Sequence, residues 1–187
     1  RISGVPASQS LVVCKYLSST PIVILQTGKP LPGTSGALLG SLLSHDYCHY
    51  GLVALVRLTG PGVTAANSLA LIAAEDSSSG LTLLRAGENL TVNGSTSAVR
   101  GIQIFTPSVK SPGQGRAVGT LQKCVAASVT LADGRNVLVH YDLNTTMRTL
   151  QLVSGGSAIA VNSSAQWRGF GQPSMGYWSN EQAVFAT

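Results

Sequence analysis

The chain has 187 residues, of which 44% are hydrophobic and only 10% charged, with a formal net charge of +5. That length fits one domain, 1–187, with room for a real core, and the charge lies well below the roughly 25% usual for soluble domains. Twelve Lys and Arg are spread singly against seven Asp and Glu, no signal-peptide pattern opens the chain, and no run approaches the ~20 apolar residues of a membrane span. No basic nucleic-acid-binding arm is therefore visible in this chain, and no stretch is apolar for long enough to be a membrane-spanning helix. So little charge fits a subunit whose surface is covered by neighbours, or a secreted β-domain with a neutral Ser/Thr-rich exterior.

In chain order, residues 1–10 are polar and carry Gly and Pro, as a surface arm does. A start at Arg1 without Met reads as a processed product or a fragment. Leu11–Tyr16 and Pro21–Gln26 are predicted strands, and Gly28–Gly33 breaks the chain after them. Ala37–Leu43 is the one short-helix candidate, with Ser35 as a possible N-cap and leucines at 38, 39, 42 and 43 on one flank. Tyr50–Asp76 then reads as strand, flexible turn and strand, with period-two patterning up to Thr59 and a stop at Gly60-Pro61-Gly62.

Gly80–Ala86 is a further strand, and Glu88–Ser97 a polar connection bearing the turn pair Asn93-Gly94. Arg100–Thr106 alternates and stops at Pro107, and Ser108–Gly119 is the longest loop-like stretch. Asp133-Gly134 joins Leu121–Ala132 to Asn136–Leu143 as the clearest hairpin. Strands at Thr146–Val153 and Ser157–Ser163 complete a pattern of about nine, the spacing of a sandwich or barrel. Residues 167–187 read as an irregular segment holding five of the ten aromatics: Trp167, Phe170, Tyr177, Trp178 and Phe185. Aromatics gathered in such a segment cap a core or anchor an interface.

Chemistry-bearing motifs are absent from the sequence: it has no GxSxG, P-loop, strand-borne GxGxxG or HExxH. An enzyme is therefore not expected, and neither is a cofactor. Cys14, Cys48 and Cys124 have no paired or metal-ligand spacing and read as free thiols in a reducing compartment. His45 and His49 flank Cys48, too few ligands for zinc, so no metal is expected. Glu75-Asp76 read as solvated strand-end acids, which would bind a cation only if a neighbour added oxygens. Asn89, Asn93, Asn144 and Asn162 sit in N-x-[ST] sequons, which in a secreted protein would mark exposed loops. The only local excess of positive charge is Arg100, Lys110, Arg116, Lys123, Arg135 and Arg148, opposed by Asp133 and Asp142.

The block Gly51–Gly62 with its aromatic Tyr50, then a polar turn and Ser68–Asp76, resembles part of a jelly-roll coat protein of small icosahedral positive-strand RNA viruses. The resemblance implies an all-β, antiparallel jelly-roll β-sandwich of about eight or nine strands with one short helix. It implies a structural capsid subunit that packs with copies of itself and with other coat subunits, located in the virion and in the host cytoplasm during assembly. The six basic residues named above would then face genomic RNA weakly and without sequence preference. Trp167, Phe170, Tyr177 and Trp178 would be subunit contacts. The basic N-terminal arm usual in such proteins is missing, which moves RNA contact to another subunit or a removed segment. The alternative is a secreted or cell-surface adhesin or carbohydrate-binding β-sandwich with glycosylated sequons.

Overall fold

A computed structural model describes residues 4, 6, 12–17, 20–31, 33–48, 51–75, 80–104, 124–145, 147–153, 158–159, 162–166, 168, 174–178 and 181–185. Its strands are β1 (Val12–Leu17), β2 (Thr20–Gln26), β3 (Leu38–Cys48), β4 (Gly51–Thr59), β5 (Leu69–Ala74), β6 (Leu81–Arg85), β7 (Asn89–Val92) and β8 (Ser95–Ile104). They continue as β9 (Cys124–Leu131), β10 (Asn136–Asp142), β11 (Met147–Val153), β12 (Ala158–Ile159), β13 (Asn162–Gln166), β14 (Ser174–Trp178) and β15 (Glu181–Phe185). Among the described residues there is no helix, so none long and apolar enough to cross a membrane.

The period-two pattern after Tyr50 becomes β4, and its two faces enter two different cores. Val53 and Leu55 face one apolar cluster; Leu52, Ala54, Val56 and Leu58 face another. Both faces are buried from Leu52 to Val56. A strand apolar on both faces must be covered on both, because each buried Leu or Val side chain contributes about 1.5–3 kcal/mol. Neighbours complete the hydrogen bonding: β4 lies between β3 and β5, and the antiparallel sheet runs β3-β4-β5-β6.

The first cover is a second antiparallel sheet, in the order β11-β10-β9-β8-β7. Its Ile102, Ile104, Val125, Val129, Val139 and Tyr141 meet Val53, Leu71 and Leu84 in one shared core. Two packed layers of this kind define the architecture. The second cover is β2 with the turn that follows it: Ile24, Leu25, Leu31 and Ala37 close over the far face of the four-stranded sheet. Thr34 is buried in that turn, donating its hydroxyl to the carbonyls of Leu31 and Ala37 at 2.6 and 3.1 Å. Every pairing within the two sheets joins strands consecutive in sequence.

The expected helix at Ala37–Leu43 is instead the start of β3, the edge strand beside β4. Two β-bulges, between Leu39 and Ser41 and between Leu42 and Ser44, each insert one extra residue. They place Leu39 opposite Leu58 and Leu42 opposite Val56, so the core-facing leucines recur three apart, the interval of a helix. Gly40 is not a helix defect but a point of contact. A Cβ there would lie 2.6 Å from Thr59 Cγ2 and 3.0 Å from the Arg57 carbonyl.

Three other expectations are refined. Glu88–Ser97 is not merely a connection, since Asn89–Val92 and Ser95 onward form the β7–β8 hairpin around Asn93-Gly94. The single strand expected at Ser157–Ser163 is the short pair β12 and β13. Within the segment read as irregular, Ser174–Trp178 pairs with Glu181–Phe185 as a hairpin, as aromatic and β-branched residues favour. The strand at Tyr50–Thr59 begins at Gly51, and the Asp133-Gly134 hairpin stands as read. The Ser108–Gly119 loop lies outside the described residues, as does the arm at 1–10 apart from 4 and 6.

The double cover predicts unequal costs for equal truncations. Leu71→Ala, at a fully buried site between the sheets, should cost about 2–5 kcal/mol. Leu43→Ala, 45% exposed on β3, should stay within roughly 0.5 kcal/mol. Urea midpoints of the two variants, at unchanged denaturant slope, check this.

Candidate functional site

The shared core between the sheets is apolar, and two arginines organise the polar groups at the strand ends. Arg85 ends β6. Its Nε donates to the Asn67 carbonyl at 2.8 Å and its Nη1 to the Thr34 carbonyl at 3.4 Å. The Arg85 backbone N–H donates to Glu88 at 3.3 Å. Asn67 in turn holds the Gly60–Ser68 loop, accepting from the Thr64 N–H at 2.7 Å and donating to the Gly62 carbonyl at 3.1 Å. One guanidinium thus ties two loops to the end of β6. The open cleft between them is lined by Ser35, Thr64, Asn67, Thr82, Arg85 and Glu88 among others. It contains hydroxyls, an amide and one charge of each sign, but its lining includes no His or Cys. Such a cleft can hydrogen-bond a polar group.

Arg135 follows the Asp133-Gly134 turn. Its Nε and Nη2 donate to Asp133 Oδ2 at 2.9 and 2.7 Å, and its backbone N–H donates to Oδ1 at 3.0 Å. The same guanidinium donates to the carbonyls of Val92 and Ser95 at 3.1 and 3.4 Å. It therefore fastens one hairpin tip to another. The Arg135 side-chain and backbone hydrogen bonds hold the Asp133 carboxyl below the usual aspartate range. At Asp142, burial pushes the carboxyl up, but hydrogen bonds from Asn144 and Thr145 outweigh it and leave the value lowered.

Of the candidate RNA-facing residues, Arg100, Arg135 and Arg148 lie among the described residues. Arg100 is exposed beside the bulge in β8. Arg135 is half-buried, and its side chain donates four hydrogen bonds to Asp133 and two carbonyls. Lys110, Arg116 and Lys123 lie outside the described residues. Arg148 is in β11 opposite Tyr141, with its side chain outside the description. Of the candidate subunit contacts, Trp167 and Phe170 lie outside the described residues, and Tyr177 and Trp178 pair with Gln182 and Glu181 in the β14–β15 hairpin.

Cys124 is a buried free thiol; Cys14 and Cys48 lie in β1 and β3, their side chains outside the description. Among the described residues no three His, Cys, Asp or Glu side chains come close enough to hold a metal ion. Glu75 is exposed, and Asp76 lies outside the described residues. The sequon residues Asn89, Asn93 and Asn144 are exposed. Sequence reading missed Arg85 and the loop-tying role of Arg135, because their carbonyl partners lie 18 to 51 residues away. The sole local signal was Asp133, two residues from Arg135 across a turn.

No protein-family model matches the chain, and no curated protein or solved structure matches it either.

The Asp133–Arg135 pair predicts an acid-side effect. A carboxyl lowered on folding contributes stability that is complete above its unfolded value, about 3.9, and is lost as pH falls through the lower folded value. Asp133→Asn should therefore lower the urea midpoint at neutral pH. It should also flatten the decline in stability below about pH 4. Parallel urea titrations of both proteins from neutral to acid pH check the sign.

Proposed function

We propose that this chain is a structural coat subunit that assembles with copies of itself, and with other coat subunits, into a shell around an RNA genome. The observation that carries the reading is the poverty of charge, 10% of residues in a chain with a 44% hydrophobic content. Charge keeps proteins apart in solution, and a surface without it tolerates contact on several sides. The described surface adds a place for such contact. The edge strand β3 carries Leu43 at 45% exposure, and the outer strand β2 carries Val23 at 40%. A sheet edge presents backbone donors and acceptors to a neighbour, and the bulges of β3 confine that edge to short runs.

The jelly-roll form of the reading rests on the resemblance of residues 50–76. A jelly roll interleaves strands by Greek-key connections, whereas the sheet pairings described above are consecutive. A shell of sandwich subunits requires only two packed sheets and adhesive edges. Contact with RNA, in this reading, is weak and led by Arg100, since Arg135 is engaged elsewhere. Trp167, Phe170, Tyr177 and Trp178 belong among the proposed subunit contacts, as aromatic residues anchor interfaces.

Exposure of Asn89, Asn93 and Asn144 favours a second reading, a secreted β-sandwich adhesin with sugar on those residues. The two readings part in solution. A coat subunit elutes as a large particle, whereas an adhesin module is a glycosylated monomer somewhat heavier than its 19.2 kDa chain.

Light scattering on freshly purified protein tests this, and Leu43→Lys should reduce particle yield without lowering the melting temperature. Trp178→Ala should likewise reduce assembly more than stability. Unmodified monomer at every concentration would overturn the coat reading.

A further inference from the structure

The Asn93-Gly94 turn is an exposed sequence feature that the coat reading leaves unused. Asn93 has a φ of 50° and Gly94 a φ of 77°, with Val92 paired to Ser95 across them. Two left-handed residues in a two-residue hairpin define a type I′ turn. The next rung is closed by the Thr91 and Thr96 hydroxyls, 2.8 Å apart. Arg135 grips both carbonyls flanking the tip, those of Val92 and Ser95, while Asp133 holds the guanidinium in place.

We propose that Asn93 is a site of spontaneous deamidation whose rate the Arg135 clamp controls. In this reaction the deprotonated backbone nitrogen of Gly94 attacks Cγ of Asn93 and forms a five-membered imide. The bond from Cγ to the side-chain nitrogen breaks, and that nitrogen leaves as ammonia. Water then opens the imide at either carbonyl, giving aspartate or isoaspartate, with no other reactant required. Gly94 has no Cβ to shield its nitrogen, and both residues are exposed, so sequence and solvent access favour attack.

The turn opposes it. In a type I′ turn the first central ψ is about +30°, which carries the Gly94 nitrogen to the side away from the Asn93 side chain. Attack requires a large rotation about the Asn93 Cα–C bond, and that rotation breaks the Val92–Ser95 rung. The same rotation pulls the two carbonyls off Arg135. The coupling also runs in reverse. Isoaspartate adds one atom to the backbone at the tip, so a reacted chain cannot remake the two-residue turn and Arg135 loses its seat. Deamidation also adds a negative charge beside a hairpin that already carries Asp133.

The test follows the full chain at neutral pH, below its melting temperature, alone and unfolded in urea. Peptide mapping reads the conversion of amide to acid at Asn93, and isoaspartate-specific enzymatic methylation reads the isomer. Native protein should react more slowly than the urea-unfolded chain. Arg135→Ala should raise the native rate by roughly ten-fold, the factor that ~1.4 kcal/mol of lost restraint represents, and should leave the rate in urea unchanged. Asp133→Ala, which removes the carboxylate without creating a second Asn-Gly pair before Gly134, should raise it by less and serves if Arg135→Ala does not fold. Equal native and unfolded rates, or native rates unmoved by either substitution, would overturn the proposal. So would a sugar chain found on Asn93.

Discussion

Burial of β4 on both faces is the constraint on which the other arrangements depend. A strand with Val53 and Leu55 on one side and Leu52, Ala54, Val56 and Leu58 on the other has no face to give to water. One sheet is then insufficient, and so are two. The second sheet covers the first face, and β2 with the 31–37 turn covers the other. Small residues help, since Ala54, Ala70 and Ala74 on the outer face allow a close approach of the covering strand. Packing density, rather than any single contact, holds these layers.

The same constraint governs where charge can go. Charged side chains are displaced from the core between the sheets, and Arg85 and Arg135 sit at strand ends where loops need fastening. They meet that need by donating to carbonyls of loops and strand ends far away in sequence. Buried or half-buried backbone groups require such partners. In a chain with only twelve Lys and Arg, two used in this way leave fewer for a nucleic acid. A proposed RNA contact therefore has to be weak, or supplied by other subunits.

How much of this was legible in the sequence follows from the range of each interaction. The strands β4 and β5 and the Asp133-Gly134 hairpin were readable, because alternation and turn chemistry are local. β3 was not, because its two bulges spaced Leu39 and Leu42 as a helix would. Pattern counting assumes an unbroken ladder. The double cover was half legible, since both faces of 50–59 were apolar enough to suggest deep burial, but the covering strand β2 gave no sign of its destination. The arginine fastenings were illegible for a different reason. Their acceptors are backbone carbonyls, which every residue possesses, brought near by the fold alone. Arg135 read as an RNA-facing candidate, with no sign of its hold on the Val92 and Ser95 carbonyls.

Amide hydrogen exchange on the native chain tests the central claim most directly. If β4 is the doubly covered centre, the amides of residues 52–58 and 70–74 exchange only through global unfolding, together with those of β9 and β10 and long after the edge strand β7. Residues 52–58 exchanging as early as β7, while β9 and β10 stay protected, would contradict it. The outer cover would then be loose, and the account built on it would fail.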